Sequence, residues 1–242
     1  MNTLSLLWNT ILINPLVGTL SFLYSVLFQN LGLAIIGLTV LIRILITPIS
    51  IRAVRSSKKL QDLQPKLTEI KNKHASDKKR QAEEQMKLYQ THGVNPASGC
   101  LLNIPQLLFV FALFGILNSK ISGLGFNTGF LWLDLAKPDP LFIFPVLAGA
   151  SQLILSRMMM PSVGSQKTSN QKDSANDLAT SMQSQMMYIF PLMTTFFSTR
   201  FPSGVVLMWI IFTIFSIIQQ YMVAGLGGLE KWVAMLRKQK KQ

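Results

Sequence analysis

The stretch "LTVLIRILITPIS", residues 38–50, decides how this chain is read. It sets one arginine, Arg43, in an otherwise apolar run, and no charged residue precedes it. A guanidinium inside a membrane helix costs about 2.5–3.5 kcal/mol on insertion scales, so Arg43 needs a polar surrounding. Eight residues separate it from Arg52. That is roughly 12 Å of helix, more than one side chain covers on its way to the interface. Snorkelling past Pro48 is one reading; the favoured one is a water-filled recess inside a helical bundle.

Composition agrees with a membrane protein. Of 242 residues 49% are hydrophobic and 14% charged, with a mean hydropathy of +0.36, whereas a soluble domain carries about a quarter charged residues. The 23 Lys and Arg exceed the 10 Asp and Glu, for a net charge of +13 that suits lipid headgroups or RNA. One cysteine, Cys100, excludes an internal disulfide and a multi-cysteine metal site.

Five apolar runs are long enough to cross a hydrocarbon core of about 30 Å: 31–51, 101–119, 140–158, 182–201 and 203–222. The expected fold is therefore an all-α membrane protein with five transmembrane helices. "RFPSG" between the last two breaks the helix and forces a tight reversal. The segments 52–100, 159–181 and 223–242, with Arg157, hold nineteen basic residues, against three on the other side. By the positive-inside rule the amino terminus is outside and the carboxyl terminus cytoplasmic.

Residues 1–30 read as an amphipathic helix on the outer membrane surface, with a cleaved or spanning segment as the alternative. In the loop 52–100, Leu60, Leu63, Leu67 and Ile70 recur at helical spacing, as do Ala82, Met86 and Tyr89, with "KHASDKK" between them. Two short helices packed through these faces form an expected cytoplasmic hairpin; an inert solvated spacer is the plainer reading. The terminal "RKQKKQ" reads as a lipid or ribosomal-RNA contact, or as a solvated tail.

No Asp or Glu lies in any of the five runs, so a coupled transporter, proton pump or intramembrane protease lacks its usual groups. Polar positions that would line a recess around Arg43 are Gln106, Gln152, Thr194, Thr195, Trp209, Gln219 and Gln220. Each also suits ordinary interhelical hydrogen bonding, and Trp209 an aromatic belt. An anion channel or transporter built on Arg43 is the rival reading, but it gives no reason for the hairpin. No P-loop is present, and no cofactor, metal or DNA partner is expected.

Four stretches in order, "LTVLIRILITPIS", "NPASGCLLNIPQ" from Asn95, "WLDLAKPDPLFIFPVLAGAS" from Trp132 and "FPSGVVLMW" from Phe201, resemble the YidC family of membrane insertases. The resemblance implies a groove among five spans, closed outside and open to cytoplasm and lipid, with its arginine at Arg43 and with Trp209, Gln152 and Gln106 on its walls. It further implies a non-enzymatic insertase. Its partners would be nascent membrane proteins with short translocated tails, ribosomes, the Sec translocon and membrane lipids. The delayed proline of "LLNIP" departs from the family pattern and shifts the start of the second span. No Arg-rich, Ser-rich transit sequence precedes the first span, which favours a bacterial plasma membrane.

Overall fold

The structure, a computed structural model, describes residues 6, 8–94, 103–120, 123–160 and 188–230. The "NPASGC" stretch with Cys100, the loop 161–181, the start of the expected fourth span and the basic tail 231–242 lie outside the described residues.

Helices dominate. After a π-helical turn, Trp8–Ile13, come α1 (Asn14–Val26), α2 (Leu31–Asp62), α3 (Gln64–Lys73), α4 (Lys78–Thr91) and α5 (Asn103–Gly115), the last winding into a π turn, Ile116–Lys120. A two-stranded hairpin follows, β1 (Gly129–Phe130) antiparallel to β2 (Leu133–Asp134), then α6 (Ile143–Met158), α7 (Tyr188–Ser198) and α8 (Ser203–Ala224). Trp8–Val26, Leu31–Asp62 and Ser203–Ala224 are long and apolar enough to cross a membrane. Gln106–Asn118, Ile143–Met158 and Tyr188–Ser198 are shorter apolar helices.

Pro48 does not end the helix that carries Arg43. It sits inside α2, which continues through Arg52 to Asp62. Proline forfeits one hydrogen bond but the flanking turns persist; the actual stop is set by Pro65 at the start of α3.

The chain forms two compact units, divided after Thr47, Leu153 and Ser216. The first unit holds the main apolar core, where Leu20 of α1, Leu31 and Ile35 of α2, Leu113 of α5 and Leu117 just after it, Ala148 of α6 and Val205 and Val206 of α8 are buried together. Two close approaches set its packing. A Cβ on Gly204 would stand 2.8 Å from Leu117 and 3.1 Å from both Ile35 and the Leu135 carbonyl, so only glycine lets α8 start there. Backbone bonds fasten this start, from Ser203 N–H to Lys137 carbonyl at 2.8 Å and from Gly204 N–H to Leu135 carbonyl at 3.0 Å. At the second approach, a Cβ on Gly149 of α6 would collide with Thr195 of α7, 1.9 Å from its hydroxyl.

The second unit contains α3 and α4 with the continuations of α2, α6 and α8. Lys58 Nζ donates to the Ala224 carbonyl at 2.9 Å, Gln61 Nε2 to the Met159 carbonyl at 2.5 Å and Gln219 Nε2 to Ser50 Oγ at 2.6 Å. Asp77 caps α4 by accepting the Arg80 N–H at 3.0 Å. Leu63 and Leu67 are buried as the periodicity suggests, but Ala82 and Met86 are exposed. The buried residue of α4 is Gln81, so its packed face is rotated from the one its apolar side chains mark. A pattern of three apolar residues is too sparse to fix the face of a helix covered with charge.

Candidate functional site

Arg43 is 6% exposed and lies in the fourth turn of α2, in the first unit. Its guanidinium donates to the Phe212 carbonyl at 2.5 Å and to the Ser216 hydroxyl, both on α8. The guanidinium carbon stands 3.4 Å above the Phe212 ring and 5.6 Å from that of Phe215. Stacking on an aromatic face, with carbonyl and hydroxyl acceptors beside it, is a setting that arginine fills better than lysine. Among the described residues no carboxylate pairs with it, and its Nε has no acceptor.

Helical spacing puts Trp209, Phe212 and Ser216 on one face of α8. Trp209 is half-buried and its indole N–H, like Arg43 Nε, lacks a partner among the described residues. Both are buried donors without an acceptor among the described residues, one on α2 and one on α8. The remaining expected residues are placed differently. Gln152 is buried on α6 one turn beyond Gly149, where α6 meets α7. Thr194 is buried on α7 and its hydroxyl bonds back to the Phe190 carbonyl at 2.9 Å. Gln106 is half-buried on α5. None of the three is a hydrogen-bond partner of Arg43 among the described residues.

A small cavity nearby is apolar, lined by Leu16, Ile35, Thr39, Ile42, Phe109 and Met208 among others, with space for about one water. It lacks the polar partners that hold water, so the hydrated recess expected from sequence is not this cavity. Sequence reasoning also passed over Phe212, Phe215 and Ser216. The signal for Phe212 and Ser216 was their i+3 and i+7 spacing from Trp209; Phe215, at i+6, had none.

A family model described as "60Kd inner membrane protein" matches residues 22–227. A "Membrane protein insertase YidC" from Fusobacterium nucleatum subsp. nucleatum is 38% identical over 82% of this chain and 88% of its own. The chain belongs to the YidC insertase family. Among other YidC-type relatives, the Bacillus subtilis "Membrane protein insertase MisCA" is 32% identical over 90% of this chain and 79% of its own. The Geobacter metallireducens YidC is 36% identical over 88% of this chain, which spans 37% of that longer protein. The crystal structure of an active YidC insertase with its first transmembrane domain resolved superposes with a TM-score of 0.61 at 26% identity. It covers 88% of this chain and 46% of its own. The mostly helical fold with its apolar helices is thus that of a YidC-type membrane protein.

Proposed function

We propose that this protein inserts nascent membrane proteins into the lipid bilayer of a bacterial plasma membrane. The observation that carries the reading is Arg43: a buried cation on a membrane helix, without a carboxylate partner among the described residues and with one donor unused. A structural ion pair would satisfy itself; this cation is left to attract an acidic or carbonyl-rich segment from outside the chain. The family relatives named as insertases support the same reading.

In the proposed mechanism five helices, built on the runs 31–51, 101–119, 140–158, 182–201 and 203–222, surround a hydrophilic groove open to the cytoplasm. A substrate's polar tail enters it and meets Arg43 and Trp209, while Gln106, Gln152 and Thr194 line its outer walls. The apolar segment of the substrate partitions directly into lipid, and that transfer drives the step without nucleotide or cofactor. The amino terminus faces outward, residues 1–30 lie along the outer surface, and the α3–α4 hairpin and basic tail face the cytoplasm toward ribosomes and the Sec translocon. The nineteen-to-three split of basic residues supports that orientation.

The test is reconstitution. Purified protein in liposomes should protect the translocated tail of a short-tailed model substrate from added protease, and empty liposomes should not. Saturable flux of small anions without tail protection would favour the channel reading instead.

A further inference from the structure

Three bulky apolar residues hold backbone conformations that normally call for glycine or asparagine. Phe28, Leu131 and Phe142 have φ of 56°, 56° and 57°. They are also 90%, 72% and 54% exposed. Each occupies a defined position in its turn. The Gln29 N–H bonds to the Tyr24 carbonyl at 3.0 Å, closing α1 in a left-handed cap whose central residue, Phe28, is ordinarily glycine. Leu131 and Trp132 form the two-residue loop between β1 and β2, where asparagine or glycine suits the left-handed position. Phe142 stands just before α6, and the capping work there is done by Asp139. Its carboxylate accepts the Leu141 N–H at 2.9 Å and the Phe144 N–H at 2.8 Å.

A left-handed β-carbon costs energy at each position, and an exposed apolar side chain in water returns none of it. The three turns lie on one side of the first unit. Asn127 N–H donates to the Tyr24 hydroxyl at 2.9 Å, and Tyr24 packs on Phe126 at 4.5 Å, joining the segment that leads into β1 to the end of α1. Trp132 meets Phe144 edge-on at 6.0 Å, joining the hairpin tip to α6. Two of the turns lead directly into apolar helices, at Leu31 and Ile143.

We propose that Phe28, Leu131 and Phe142, with Trp132 and Leu141, are prongs that insert into the interfacial layer of the bilayer at the amino-terminal end of α2. Lipid is the occupant because the patch continues the apolar surface of membrane helices and is carried by separate loops on one side. A bilayer meets all of them at a single level, and an indole beside aliphatic tips is the interfacial pairing. The prongs would fix the depth of α2, and with it the depth of Arg43. Because this needs only a membrane protein, it stands or falls independently of insertase activity.

The experiment uses the full chain with Cys100→Ser in liposomes of phosphatidylethanolamine and phosphatidylglycerol. Single spin-labelled cysteines replace Phe28, Leu131 or Phe142, with Asn127 as the aqueous control. The three labels should favour collision with oxygen over a water-soluble nickel chelate several-fold more than the control does. A combined Phe28→Asn, Leu131→Asn and Phe142→Asn variant keeps residues that accept the left-handed backbone. It should melt in detergent at or above the parent's temperature, while a label at position 132 moves to the aqueous side. Labels open to the nickel chelate in pure lipid would overturn the proposal. So would labels shielded only after another protein is added, which would give the loops a protein partner.

Discussion

Replacing Arg43 with methionine should separate stability from function. In the structure the guanidinium gains a stack on Phe212 at 3.4 Å and bonds to the Phe212 carbonyl and the Ser216 hydroxyl. Hydrogen bonds from a charged donor contribute about 1.5–3 kcal/mol each, and a desolvated cation–π contact about 2 kcal/mol. Against them stands a desolvation cost of several kcal/mol for the buried ion. The two nearly cancel. Removing the cation leaves no stranded acceptor, since the Phe212 carbonyl still receives the Ser216 hydroxyl at 3.0 Å. Apolar replacements of buried ions are often neutral or stabilising by about 1–4 kcal/mol, so Arg43→Met should melt in detergent at or above the parent temperature. Insertion should respond differently. A carboxylate about 4 Å from the guanidinium gains about 4 kcal/mol at an effective dielectric constant of 20. Retaining even a third of that attraction is worth about tenfold in rate. The assay is protease protection of one substrate carrying an acidic, neutral or basic tail. Insertion of the acidic tail should fall about tenfold and the basic tail should be spared. Arg43→Lys should be intermediate, because a compact ammonium keeps the charge but not the flat stack. A destabilised methionine variant with equal defects for all three tails would refute the reasoning and leave Arg43 a structural residue.

Gly149→Ala should destabilise by about 1–3 kcal/mol through overpacking against Thr195, and Thr195→Ala should recover most of the loss in a double-mutant melt. In the hairpin, Leu67→Asp should raise amide exchange across α3 and α4, whereas Met86→Asp should leave it unchanged, because Leu67 is buried and Met86 exposed. Asp134 is held below its ordinary pKa of 3.8: burial pushes it up, but bonds from Lys137, Thr128 and the Ala136 N–H outweigh that. Its contribution to stability is therefore complete above that ordinary value and lost as pH falls through the lower folded value. For so exposed a pair it amounts to under about 1 kcal/mol, and Asp134→Asn should abolish that part of the acid dependence of melting.

The apolar runs and the isolation of Arg43 were legible because membrane crossing demands long uncharged helices, and one guanidinium among them stands out. The helix break before α8, at Pro202 and Gly204, was legible for an equally local reason. What surrounds Arg43 was not. Phe212 and Phe215 look like any residues of an apolar helix, and their contact with Arg43 joins positions about 170 apart, which no local periodicity reports. Pro48 left the run 31–51 intact, since a proline rule describes a local cost and α2 absorbs that cost within a 32-residue helix. Gly149 carried no pattern at all; its role exists only where α6 and α7 meet.

Site-specific photocrosslinking checks most directly whether nascent chains pass the face of α8 that packs on Arg43 of α2. A photoreactive residue at Trp209 or Phe215 would be exposed to ribosome-stalled membrane-protein chains of increasing length, with the exposed Phe196 on α7 as reference. Crosslinks at positions 209 and 215 should appear at intermediate chain lengths, strengthen with an acidic tail and vanish after release. Efficient insertion with no crosslink at either position at any length would contradict passage along that face.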